Sequence, residues 1–522
     1  MSAIFSEPCD ENIIRSAPER STCTKARGRW ILAATILASS MAFIDGTVVN
    51  VALPALQTNL TATAVDVQWV IEAYALLLSA FLLVGGSLGD HYGRRRIFVI
   101  GIALFAVASA ACGFAHNIRQ LIAARAFQGF GAALLIPGSL AIISSSFSEE
   151  ERGRAIGTWS GFSAITTGIG PVLGGWLIEH VSWRAVFFIN LPIALLVILI
   201  SLRHVAENSD REKARVDWFG AVLAVSGLGA LVYGLIESPQ LGFGDRLVMT
   251  VLIAAGLLLI VFVFVESRRP HPMLPLTLFR SRIFAGTNLL TFLLYAALGG
   301  TLFFLPLNLI QVQHYSPTAA GAVLLPFILL MSLLSRWSGG LIASYGPRLP
   351  LIVGPLIAAV GYVLFMLPGV GGSYLLNFFL PVLFLGLGMA ISVAPLTTTV
   401  MSSVPQNHAG IASGVNNAVA RTASLVAIAV FGIVMLNVFK SELDRHLREL
   451  KIPPPVSESV RAQSTRLAAI AVPENLEAAT QQLIRRAIDE SFVSGFRAVM
   501  LIGAVLGVAN AVSALALVRT PK

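Results

Sequence analysis

Apolar runs of about 20 residues recur along the whole chain, from WILAATILASSMAFI near its start to AVMLIGAVLGVANAVSALALV near its end. Short polar breaks separate them. A run of that length crosses a bilayer core of roughly 30 Å as a helix. In hydrocarbon a helix pairs every backbone polar group within its own segment. Only 12% of residues are charged and the mean hydropathy is +0.79, against about 25% charged in a soluble domain. The expected fold class is an all-α polytopic membrane protein.

Counting runs between polar breaks predicts fourteen helices, near 31–54, 69–89, 97–115, 121–143, 156–178, 185–203, 218–236, 247–265, 286–309, 321–343, 350–367, 376–400, 411–436 and 494–516. Internal prolines such as Pro137 and Pro171 do not veto a span, because neighbouring helices satisfy the freed groups. Basic residues in short loops set orientation. With the N-terminus inside, 21 Lys and Arg fall in the tails and short loops of the inner side, against Arg119, Arg184 and Arg246 on the other. Both termini are therefore expected in the cytoplasm, with residues 1–29 a polar tail. The net charge of +9 is largely this topology signal. No basic arm interleaved with aromatics points to nucleic acid. Cys9, Cys23 and Cys112 have no metal or disulfide spacing, and Cys112 reads as packing.

One polar break stands out. GGSLGDHYGRRRIF, Gly85 to Phe98, holds an acid, three consecutive arginines and four glycines between two apolar runs. It recurs in degraded form: GSLGDHYGRR from Gly86 aligns with GGLIASYGPR from Gly339, matching at Gly, Leu, Tyr, Gly and the last Arg. Both copies end an inward-running helix, the second and the tenth. An offset of eight implies six helices, two inserted helices, then six more, and parallel six-helix repeats are a transporter plan with a midplane site. The expected units are residues 1–29, the tail; 30–203, the first bundle; 204–266, a linker and two inserted helices; and 267–522, the second bundle with a long outer loop at 440–490. That loop reads as partly helical, solvent-facing chain.

These residues carry a family resemblance. GSLGDHYGRRRIF resembles the helix 2–3 signature of the major facilitator superfamily, and IDGTVVNVALPAL (Ile44–Leu56) the first-helix signature of its fourteen-span drug:proton antiporters. LIAARAFQGFGAA (Leu121–Ala133) resembles the fourth-helix motif, and GIGPVLGGWL (Gly168–Leu177) the fifth-helix antiporter motif. Thr166 stands where that last motif would begin with Gly, His91 replaces the usual Arg after Asp90, and Ala343 replaces the Asp in the second copy. The resemblance implies a major facilitator fold, a gating loop built on Gly86, Asp90, Gly93, Arg94 and Arg95, and a leak-limiting seam at Gly170, Pro171, Gly174 and Gly175. Without the resemblance, the loop reads as a hairpin with a topology-setting basic cluster, and the glycines as an ordinary kinked helix.

Ionisable side chains inside spans are costly and mark pathways. Only Asp45 and Glu72 lie clearly inside, with the bases Arg125, Arg336 and Arg421. Asp45 is nine residues before Pro54, about 13 Å below the outer end of its helix at 1.5 Å per residue. Glu72 and Arg125 each lie a few residues into inward-running helices, so all three share the outer half. Burial and a neighbouring arginine push a carboxyl in opposite directions, so an acid alternating between such environments can carry a proton. Asp45 is the expected coupling site and Arg125 its tuner, against the alternative of a static ion pair. Glu72 is either an assisting proton or cation group or a hydrated rim carboxylate. Arg421 is a candidate partner for Glu72 across the outer gate.

The expected activity is secondary export of lipophilic or cationic drugs against protons in a bacterial inner membrane, the alternative being proton-coupled transport of one metabolite or secreted natural product. Accessory envelope proteins are candidate partners. No P-loop is present, so the proton motive force is the expected energy source, with no cofactor and no metal. Histidines lie in loops or at span edges, away from the two acids, which argues against an enzyme.

Overall fold

The computed structural model describes residues 25–147, 149–207, 217–269, 272, 274–404, 409–473 and 476–518. Among these, every regular element is a helix. We number the long ones α1 (Lys25–Asn59), α2 (Ala64–Tyr92), α3 (Arg94–Gly113), α4 (Ile118–Ser146), α5 (Glu149–His180), α6 (Ala185–His204), α7 (Trp218–Leu241) and α8 (Arg246–Arg268). They continue as α9 (Arg282–Leu307), α10 (Leu325–Tyr345), α11 (Arg348–Leu364), α12 (Leu380–Ser402), α13 (Ala409–Glu449) and α14 (Ala478–Leu517).

Among the described residues, twelve helical segments are long and apolar enough to cross a membrane by length and composition. The expectation of fourteen adds α11, apolar but only 17 residues long, and α5, whose apolar run lies partly outside the described side chains. Both pack into the bundle like the others.

Capping side chains mark several starts. Thr63 and Asp66 form a reciprocal box at α2, with Thr63 N donating to Asp66 Oδ2 at 2.8 Å and Asp66 N to Thr63 Oγ1 at 3.1 Å. Asn117, Asp217 and Asp245 cap α4, α7 and α8. Such caps satisfy N–H groups that a helix cannot pair internally.

Helices α1–α6 pack chiefly on one another, as do α9–α14. The two groups meet along α1 with α9, α2 with α13, and α5 with α10. Shifting by eight helices turns the α2–α13 pairing into α10–α5, so the interface has internal two-fold symmetry. The α7–α8 pair docks through α7 onto both α2 and α13.

The echo in sequence is an echo in structure. Gly93 closes α2 at φ 108° and Gly346 closes α10 at φ 70°, a region open to glycine at little cost. Two residues on, Arg95 Nη1 donates to Val205 O at the end of α6 (3.2 Å), and Arg348 Nη2 donates to Leu515 O near the end of α14 (2.5 Å). Each arginine thus ties its turn to the sixth helix of its own group. These turns define one end of the molecule.

At the opposite end the 440–490 region departs from a merely solvent-facing loop. Helices α13 and α14 run past the apolar segments, and Pro454–Ala462 and Ser464–Ala469 form short helices between them. Leu443, Leu447, Val460, Leu467, Ile484 and Ile488 are buried together. Ser464–Ala469 packs on α1 and α2 of the other group as well as on α13 and α14. The sequence hid this because its apolar residues are spaced among charges that remain at the surface.

Candidate functional site

Four helices build one buried polar cluster. Helix α1 brings Asp45, and α4 brings Arg125 and Gln128, which share a face at three-residue spacing. Asn190 comes from α6 and Ser109 from α3. Asp45 and Arg125 are 0% and 1% exposed. Arg125 Nη1 donates to Asp45 Oδ2 at 2.5 Å, while Gln128 Nε2 and Asn190 Nδ2 donate to Asp45 Oδ1 at 2.8 and 3.2 Å. Asn190 Nδ2 also donates to Ser109 Oγ (2.9 Å), which donates to Phe187 O (2.8 Å).

The guanidinium is satisfied beyond its carboxylate. It donates to Val70 O at 3.1 Å and to Gln128 Oε1 at 2.7 Å, and lies 4.2 Å from the Tyr74 ring centroid. A buried ion pair offsets its desolvation only with such added hydrogen bonds. Here three donors occupy the carboxylate. A proton on Asp45 would remove the charge that strengthens these bonds, and so would link protonation to the packing of α1, α4 and α6.

Glu72, on α2, is 0% exposed, and neither carboxylate oxygen has a hydrogen-bond partner among the described residues. One turn away, Gln68 Nε2 donates to Ile428 O of α13 at 3.4 Å. Arg421 lies on α13 near Tyr74 and Tyr295, its Nε also without a partner. No ion pair joins Glu72 to Arg421, so in this state the structure does not bring together the gate pair expected from sequence. Arg336 has a side chain outside the described residues.

The gating-loop candidates are held within their own group of helices. At Gly86 a side chain would approach Pro137 of α4 at 3.8 Å. At Gly93 a Cβ would lie 2.6 Å from Glu207 Oε1. That carboxylate accepts from the backbone N of Arg95 at 3.0 Å and of Arg96 at 3.1 Å, capping the start of α3. Arg94 Nη1 reaches Ala141 O at 3.5 Å. The side chain of Asp90 lies outside the described residues.

The fifth-helix candidates form a three-way seam. Gly170 and Gly174 face Thr47 and Val48 of α1, leaving no room for a Cβ, and Thr47 Oγ1 donates to Thr167 O at 3.2 Å. Gly175 abuts the backbone of Pro317 and Thr318, and Gly321 abuts Pro171 O, so α5 also touches the short helix Pro317–Ala322 of the other group. Closure continues beside it. Gln311 Nε2 donates to Gln57 Oε1 at 2.6 Å, and Arg485 Nη2 from the 440–490 region donates to Gln311 O at 2.8 Å.

Sequence reasoning missed Gln128, Asn190, Ser109 and Glu207. The first three carried a signal, being polar residues inside apolar runs. Glu207 carried none, since its role depends on where α6 ends.

Comparison with known proteins agrees with this architecture. The family description "Major Facilitator Superfamily" matches residues 35–428. "Multidrug resistance protein Stp" of Mycobacterium tuberculosis (strain CDC 1551 / Oshkosh) is 36% identical over 433 residues, covering 83% of this chain and 80% of that one. "Tetracenomycin C resistance and export protein" of Streptomyces glaucescens is 33% identical over 495 residues, covering 93% and 91%. Among solved structures, a bacterial homolog of the human lysosomal transporter Spinster, inward-facing and occupied, superposes with a TM-score of 0.65 at 17% identity, covering 96% of this chain and 98% of that one. That last likeness speaks to the fold alone. The chain belongs to the major facilitator superfamily, whose members are membrane transporters and not enzymes.

Proposed function

We propose that the protein is a fourteen-span secondary exporter of lipophilic or cationic drugs, driven by protons entering through the Asp45 cluster. The observation that carries this reading is Asp45 itself, a carboxylate without solvent exposure whose charge partner sits on another helix. An intramembrane acid facing its bundle is the expected form of a proton site. Relatives named for multidrug resistance and for tetracenomycin C export support the choice of cargo.

In this reading the end bearing Gly93 and Gly346 faces the cytoplasm of a bacterial cell, where the basic loops belong. The cross-group contacts at Gln57, Gly175 and Gln311 then close the outer side, an inward-facing state. In the outward-open state Asp45 takes up a proton, and after closure to the inward-facing state it releases that proton to the cytoplasm and re-forms its pair with Arg125. Each charge crossing 100 mV supplies about 2.3 kcal/mol, roughly a fiftyfold gradient per proton. No bound cofactor is needed.

The test is dye efflux in vesicles with imposed pH and voltage gradients, comparing wild type with Asp45→Asn. Gradient-dependent flux in the wild type and none in the variant is the expected result. Flux that ignores both gradients overturns the antiport reading.

A further inference from the structure

An apolar groove of about 700 Å³ runs along the lipid-facing side of α11 and α14, lined by Leu356, Val360 and Val363 on one wall and Ala504, Val508 and Val512 on the other. Its origin is local. Gly507 lets the helices approach until a Cβ there would lie 3.0 Å from Pro355 O, and small residues beside the contact leave the outside unfilled. Val360, Val363, Val505, Val508 and Val512 are all exposed. From Leu356 to Leu364 the groove is about 13 Å long at 1.5 Å per residue, close to the thickness of one leaflet's hydrocarbon, about 15 Å.

Arg497 stands at one end. It precedes Ala504 by two turns and Val508 by three, and so shares their face of α14. Its Nη2 donates to Pro368 O at 3.1 Å, just past the end of α11, while its Nε is buried without a partner. The nearest acids along α14 are already engaged, Asp489 by Arg485 at 3.3 Å and Glu490 by Arg486 at 2.8 Å. A cation therefore stands two helical turns, about 10 Å, beyond the near end of the apolar channel.

We propose that this groove is a binding site for an anionic phospholipid of the leaflet at the end opposite Gly93, one acyl chain lying between α11 and α14 and the phosphate meeting Arg497. A guanidinium recognises phosphate with charge-assisted hydrogen bonds. The lipid would cover the one side of the α11–α14 contact that protein leaves open.

The test is native mass spectrometry of the purified full-length protein, titrated with dioleoylphosphatidylglycerol or dioleoylphosphatidylcholine. The wild type should retain the anionic lipid about fivefold better, the effect of one basic side chain at the interface. Arg497→Gln should erase that preference and Arg497→Lys should keep it. Ala509→Phe, which fills the groove, should reduce retention of both lipids. Equal retention of the two lipids by wild type, or a preference that survives Arg497→Gln, overturns the proposal. So does displacement of the bound lipid by a lipophilic cationic dye, which would make the groove a cargo site. A dimer that Ala509→Phe abolishes would make it an interface between copies. If Ala509→Phe does not fold, the two Arg497 variants decide alone.

Discussion

Arg125 Nη1 meets Asp45 Oδ2 at 2.5 Å, and neither side chain has appreciable solvent-exposed surface. Removing one member of such a pair leaves a buried charge uncompensated, typically at about 3–5 kcal/mol. Arg125 keeps its bonds to Val70 and Gln128, which places Asp45→Asn at the low end, about 3 kcal/mol. We expect Asp45→Asn to lower the thermal midpoint and abolish pH-driven efflux. The double variant Asp45→Asn/Arg125→Gln should recover the midpoint and still not transport. Normal pH-dependent flux in Asp45→Asn would remove Asp45 from the mechanism.

Glu72 presents the opposite case, a buried carboxylate with no partner to lose. Unsatisfied buried polar groups cost about 1–3 kcal/mol, and charged ones more. Glu72→Gln should therefore leave thermal stability unchanged or raise it. Its free oxygens suit an approaching cation, so efflux of a monocationic dye should fall about tenfold while a neutral drug is still exported. Unchanged cation efflux would show that Glu72 serves neither cation binding nor coupling.

Much of this site was readable as sequence. Charge is so costly in oil that Asp45, Glu72 and Arg125 announce themselves, and helical rise places them at one depth. What the sequence could not supply was partner choice, which depends on helix rotation. Asp45 turns toward α4 and α6, while Arg421 turns toward Tyr74 and Tyr295 rather than Glu72. Neutral side chains such as Gln128 and Asn190 vanish into apolar averages, although they complete the cage. The two turn glycines were legible because a repeated motif preserves a backbone requirement. The helices of the 440–490 region were not, because their buried face is narrow and their flanks are charged.

At the turn itself, Gly93→Ala meets two penalties. Positive φ costs a non-glycine residue about 1–2 kcal/mol, and the new Cβ would press on the Glu207 carboxylate that caps α3. We expect a loss of at least that size in a reversible unfolding assay. In a Glu207→Ala background Gly93→Ala should show the φ cost alone. Equal losses in the two backgrounds would mean that the Glu207 contact contributes nothing.

The bond between Gln57 and Gln311 joins the two helix groups across the closed end. Replacing both with cysteine should allow a disulfide in this access state. Oxidation should stop efflux and a reductant should restore it. Failure to crosslink in vesicles, with both thiols reactive to a small reagent, would mean that this end is open under resting conditions.

A pH dependence follows from the same closure. Glu179, exposed at the end of α5, accepts from Thr318 N at 3.3 Å across the group boundary. Hydrogen bonds from Thr318, with a smaller contribution from Ser316, hold its carboxyl below the ordinary range. A lowered value means that the ionised form is favoured by the closed contact. The contribution is therefore complete above the ordinary carboxylate pKa and disappears as pH falls through the lowered one. Reactivity of a cysteine at position 57 toward a membrane-impermeant thiol reagent, each pH normalised to a free thiol, should be low at neutral pH and rise in the acid range. In Glu179→Gln it should lose that pH dependence. Reactivity that rises equally in both proteins would assign the acid opening to another group and leave Glu179 as a surface carboxylate.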